Sequence, residues 1–88
     1  MIINIKDLKN KIIYRANYRG TKEMDKLLGS FTKLHIDQLS DDELLLLCNL
    51  LDMDDENLYK LNQGADLTIK IETNKVTDLF KKFEYVSE

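Results

Sequence analysis

The sequence predicts an all-α protein, a compact bundle of five short helices in a single domain spanning residues 1–88. Three observations lead there. The 88 residues contain no proline and only three glycines, so little interrupts helix. Apolar residues recur at three- and four-residue spacing in several separate stretches, the period of a helix with one buried face. Helix-start signals stand between those stretches, most plainly in Leu-Ser-Asp-Asp-Glu-Leu at residues 39–44.

The elements follow in order. Leu8, Ile12 and Ala16, with Ile5 and Ile13 beside them, predict a first helix from about Lys6 to Tyr18. Gly20 stands where a helix would end in a left-handed residue. Thr21 can cap the second helix, and Glu23 and Asp25 put negative charge in its first turn, where the backbone dipole favours it. Met24, Leu27, Leu28, Phe31 and Leu34 form its apolar stripe. Ser40 and Glu43 are the two halves of a capping box, flanked by Leu39 and Leu44 at hydrophobic-staple spacing. The helix that follows, Asp41 to about Leu51, is apolar on most sides and is expected at the centre of the core. A short fourth helix starts at Asp54 or Asp55, runs through Leu58, Tyr59 and Leu61, and stops at Gly64. Leu67 to Thr73 alternates apolar and polar residues like a strand, but a lone strand cannot satisfy its ladder hydrogen bonds. An extended or partly helical lead-in is therefore expected, followed by a fifth helix from about Asn74 to Phe83 carrying Val76, Leu79, Phe80 and Phe83.

Composition bounds the function. A 43% apolar and 33% charged chain is that of a soluble globular protein. At this length it buries roughly 60–65% of its unfolded surface, a modest core without a deep catalytic cavity. No apolar run reaches the ~18 residues of a membrane span, and Met1 to Asp7 reads as neither a secretion signal nor a transit peptide. A bacterial cytoplasmic address is expected, with no membrane insertion. The net charge of −3 disfavours nucleic acid as a partner. Basic residues gather early, at Lys6, Lys9, Lys11, Arg15, Arg19 and Lys22, and acidic ones later, at Asp41–Glu43 and Asp52–Glu56. Such a chain reads as a polarised molecule suited to a complementary protein surface.

Catalytic constellations are missing. Cys48 is single, so it offers neither an internal disulfide nor a metal site, and its apolar neighbours assign it to packing. His35 is also alone and reads as a helix-end group. The acidic run Asp52 to Asn57 lacks the glycine and closing glutamate of a calcium loop. Glu23 and Asp25, two apart on a helix, face different ways and cannot act as an acid–base pair. The residues therefore predict no enzyme, no metal and no stably held cofactor.

What stands out is Arg15 to Asp25, where three basic and two acidic side chains surround one glycine. Gly20 would let two helix ends approach closely, so that Arg15, Arg19 and Glu23 present one polar patch to another protein.

The run Tyr14 to Phe31 resembles the signature of the small assembly factors that promote covalent FAD attachment to succinate dehydrogenase. That family carries an Arg-Gly-x-x-Glu-x-Asp motif between its first two helices, here Arg19, Gly20, Glu23 and Asp25. The likeness continues through Leu39–Glu43 and Leu50–Tyr59 and fades beyond Gly64 to the apolar spacing of the last helix. Two positions depart from the pattern: Tyr18 precedes the Arg-Gly pair where a basic residue is frequent, and Leu61 stands where many members have tryptophan. The resemblance implies a five-helix bundle; a monomer that forms a one-to-one complex is expected, with a weak homodimer as the alternative. It implies binding to the flavoprotein subunit of succinate dehydrogenase, and in some bacteria to that of fumarate reductase. FAD is acted on there, at a histidine of the partner, and is not held by this chain. Arg19 and Glu23 would supply polar contacts, Gly20 close backbone approach, and Arg15 and Asp25 support, Asp25 by holding an arginine in place. Alanine at Arg19 or Glu23 is then expected to leave the helices intact. An antitoxin-like regulator that binds and inhibits another protein is the alternative.

Overall fold

Every helix of the protein begins at a side chain that replaces a missing backbone partner. The first turn of a helix leaves N–H groups without acceptors, and short polar side chains at the N-cap supply them. Asn4 accepts from the Asp7 N–H, Thr21 from Met24, Ser40 from Glu43, Asp54 from Asn57, and Asn74 from both Val76 and Thr77. A computed structural model describes residues 4–85. Among them are five helices and no strand: α1 Ile5–Asn17, α2 Lys22–His35, α3 Asp41–Leu51, α4 Asp55–Gln63 and α5 Lys75–Lys82.

The predicted all-α class and five-helix order are thus observed, with boundaries moved by a residue or two. At Ser40 both halves of the capping box form: Glu43 Oε1 accepts the Ser40 N–H at 2.8 Å while Ser40 Oγ accepts the Glu43 N–H at 3.2 Å. A second box closes α5, where Thr77 Oγ1 accepts the Asn74 N–H at 2.8 Å. Gly64 ends α4 in the left-handed conformation, φ 74°, and the following Ala65 N–H reaches back to the Lys60 carbonyl at 2.9 Å.

The core gathers one face of each helix. Ile12 and Ala16 of α1, Leu28 and Phe31 of α2, Leu44, Leu47 and Leu51 of α3, Leu58 of α4, and Val76 and Phe80 of α5 are shut off from solvent. α1 packs on α2 and α3, and α5 on α3 and α4. Phe31 is the aromatic centre, edge-on to Phe80 at 5.1 Å and Phe83 at 5.4 Å, with His35 tilted against it at 4.9 Å. His35 therefore serves packing at the end of α2. Leu61 is buried, so leucine simply fills the space at that position. Two expectations fail: Leu34 is 56% exposed, on the side of α2 turned away from the buried Phe31, Thr32 and Ile36, and Ile13 lies on the outer face of α1.

Polar side chains fasten what apolar spacing leaves loose. Asn57 is buried, yet its amide donates to Asp54 and Thr68, and its oxygen accepts the Thr68 N–H at 2.8 Å. Asn62 donates to the carbonyls of Phe80 and Phe83, tying the end of α5 to α4. Neither role follows from helical periodicity.

Two predictions follow from this packing. Phe31→Ala removes the aromatic centre and should lower unfolding free energy by about 3–5 kcal/mol, measured by urea denaturation. Glu43 has its carboxyl held below the usual value, first by the Ser40 N–H and then by Lys75. A depressed folded-state pKa gives stability above the unfolded value that is lost as pH falls through the folded one. The Ser40 and Lys75 contacts should therefore fade only below the ordinary glutamate range of about pH 4.3, and Glu43→Gln should flatten that part of the acid-stability curve.

Candidate docking site

The charged turn between α1 and α2 is built from two directions. α1 ends at Asn17, and Tyr18, Arg19 and Gly20 carry the chain to the Thr21 N-cap. Gly20 has φ 115°, a backbone conformation that side chains rarely adopt. A Cβ placed on it would meet nothing within 4 Å. The glycine is therefore required by its dihedral angle, and the expected close approach of helix ends is not what it provides.

Asp25 folds back from the first turn of α2 onto this bend. Its Oδ1 accepts the main-chain N–H of Arg19 and, at 3.3 Å, that of Gly20. It does hold an arginine, but by the backbone, which leaves the guanidinium free to reach elsewhere.

That guanidinium reaches inward. Arg19 Nη1 donates to the Leu51 carbonyl at 2.5 Å, Nη2 to the Met53 carbonyl at 2.6 Å, and Nε to Asp55 Oδ1 at 3.0 Å. Leu51 closes α3 and Asp55 opens α4, so one planar fork satisfies carbonyls at one helix end and a carboxylate at the next helix start. The side chain is only 13% exposed. Arg19 is therefore a clamp within the fold, which corrects the expectation that it lies open beside Glu23.

Arg15, one turn earlier on α1, pairs with Asp52 in the same α3–α4 turn, and half of that pair faces solvent. The early basic and later acidic residues thus meet in space: Lys9 with Asp37, Arg15 with Asp52, Arg19 with Asp55. Among the described residues, three of the six early basic ones are thus paired in the fold. Sequence reading missed Asp52 and Asp55 as arginine partners, although the two charged windows were the available signal.

Glu23 behaves differently. It is exposed and, among the described residues, forms no ion pair. It lines a groove of about 860 Å³, with Lys26 of α2, Tyr59 of α4, Lys82 of α5, and Phe83 and Tyr85 beyond α5. Tyr59 is half in solvent, an aromatic surface of the kind that anchors protein interfaces. On the other side of the turn, Tyr14 and Tyr18 stack with ring centroids 4.7 Å apart while remaining 66% and 70% exposed. Tyr18 thus replaces a charge with an open aromatic face. Cys48 lies at the core edge, its thiol pushed up by burial, with Arg15 and Asp52 nearby.

Comparison with known proteins addresses what such a turn belongs to. Residues 10–84 match the model of the family described as flavinator of succinate dehydrogenase. The chain belongs to that family. An FAD assembly factor of Acetobacter pasteurianus is 36% identical over 55 residues, covering 62% of this chain and 50% of that protein. A mitochondrial succinate dehydrogenase assembly factor 2 of Dictyostelium discoideum is 36% identical over 73 residues, 82% of this chain and 52% of its own. The corresponding Meyerozyma guilliermondii protein is 41% identical over 51 residues, 58% of this chain and 38% of its own. This chain spans about half the length of these curated relatives. No solved structure matches. The matched relatives are assembly factors by name, and the inhibitor alternative draws no support from them.

The clamp makes a stability prediction that reverses the earlier expectation for Arg19. Arg19→Ala strands two carbonyls and a carboxylate and should cost roughly 2–3 kcal/mol in urea denaturation. Arg19→Lys should recover little of it, since an ammonium lacks the planar fork. Gly20→Ala should cost about 1–3 kcal/mol through backbone strain alone.

Proposed function

We propose that this protein is an assembly factor that binds the flavoprotein subunit of succinate dehydrogenase and promotes covalent attachment of FAD to it. The observation that carries the reading is the family match across residues 10–84, which includes the whole Arg-Gly turn, all of α2 and the second part of α1. The flavoprotein of fumarate reductase is a second client of the same chemistry. In this reading the protein works by binding and not as an enzyme. The flavin and its acceptor histidine both belong to the partner.

The turn divides the work. Arg19, Gly20 and Asp25 set the shape, while Glu23, the Arg15–Asp52 edge and the neighbouring aromatic rings meet the flavoprotein. A carboxylate without a partner among the described residues is well placed to meet an arginine or a main-chain N–H of another protein. Promotion then needs no catalytic side chain here. A binder shifts an equilibrium by its differential affinity for two states, and ~1.4 kcal/mol of preference for the aligned flavin–histidine arrangement changes the populations tenfold.

The test is expression of the flavoprotein with and without this chain, followed by denaturation and measurement of protein-bound flavin fluorescence. The chain should raise that signal. Glu23→Ala should lower it several-fold while helicity and the urea midpoint stay at native values. Equal flavin loading in the presence and absence of the chain overturns the proposal.

A further inference from the structure

The connection from Gly64 to Asn74 is fixed at both ends and open between them. Thr68 is held by α4, its N–H donating to the buried Asn57 at 2.8 Å. Asn74 is held by α5, where it is the N-cap and donates its own N–H to Thr77. Leu67 and Ile71 pack against the core. Between the two anchors the chain bends at Thr68 and Ile69 and then runs from Lys70 to Asn74 without helix or turn. Among the described residues, none of the main-chain N–H groups from Ile69 to Thr73 donates to another main-chain group. Ile69 is 46% exposed, and Lys70, Glu72 and Thr73 face solvent. A preplaced row of unpaired donors and acceptors, carried by isoleucine and threonine, is a template for strand addition.

The order of side chains identifies the occupant. In an antiparallel pairing of Ile69–Thr73 with itself, centred on Ile71, Lys70 lies opposite Glu72 of the second copy and Glu72 opposite its Lys70. Ile69 then lies opposite Thr73. Both cross-strand ion pairs are attractive, whereas a parallel in-register pairing would set lysine against lysine and glutamate against glutamate. We infer that a second copy of this chain pairs along residues 69–73, giving a reversible antiparallel dimer through a two-stranded ribbon. A ribbon of this length is marginal by itself, so the dimer forms only at high protein concentration. The surface is separate from the Arg-Gly turn, so the inference does not depend on the flavoprotein reading.

Sedimentation equilibrium of the whole chain up to millimolar concentration tests it. The native protein should show reversible dimerisation. Lys70→Glu, which places like charges opposite each other twice, should weaken it roughly tenfold or more. The swapped variant K70E/E72K should restore the native constant, since it rebuilds both pairs in reversed order. Both residues are exposed, and unchanged helicity of each variant verifies that the bundle is intact. Amide exchange at Ile69–Thr73 should slow as native protein concentration rises. A native chain that stays monomeric throughout the range overturns the inference. So does a dimer that Lys70→Glu leaves unchanged, or one that the swap fails to restore.

Discussion

One guanidinium decides how the two halves of this bundle meet. α3 ends at Leu51 and α4 begins at Asp55; the Asp52 and Met53 N–H groups meet the carbonyls of Cys48, Asn49 and Leu50, and those of Leu51 and Met53 are left to other donors. Arg19 supplies them from outside, and adds a charge-assisted contact to the first residue of α4. Its weak hydration relative to an ammonium keeps the cost of partial burial low, and its planarity lets three acceptors be met without distortion. The α1–α2 turn and the α3–α4 turn therefore form one body, and the geometry of either depends on the other.

Asp25 and Gly20 are preconditions of that contact. Gly20 lets the chain reverse with a positive φ, and Asp25 fixes the reversed main chain by its two N–H groups. With the backbone secured in this way, the Arg19 side chain starts its reach from a defined point. A charged motif that looks like a surface in one dimension is in three dimensions mostly scaffold, with Glu23 as its outward member. The proposed docking turn and the structural keystone overlap, which is why substitutions there need a stability measurement beside any functional one.

Much of this was legible in the residues. The capping box at Ser40, the αL stop at Gly64 and the helical spacing of Leu44, Leu47 and Leu51 each arise from local physics, and each is observed. The family likeness is borne out by the match over residues 10–84. What escaped was long-range. The pairing of Arg15 with Asp52 and of Arg19 with Asp55 spans more than thirty residues, and no local rule assigns partners at that distance. Asn57 and Asn62 were equally silent, since a polar residue at a helical position reads as solvent-facing until a buried acceptor is known. Leu34 failed for the opposite reason: it lies at the margin of the apolar stripe, and the face that is buried runs through Phe31, Thr32 and Ile36.

The exposed phenols of Tyr14, Tyr18, Tyr59 and Tyr85 have an optical consequence, because they are all the tyrosines of a chain that contains no tryptophan. None of the four is buried in the core, and Tyr14 and Tyr18 keep about two thirds of their surface in water. Near-ultraviolet absorption therefore changes less on folding than it would for core tyrosines. The same rings flank the charged turn and its groove, where a bound protein would strip that water away. The molecule thus carries a built-in spectroscopic reporter that responds to contact with others.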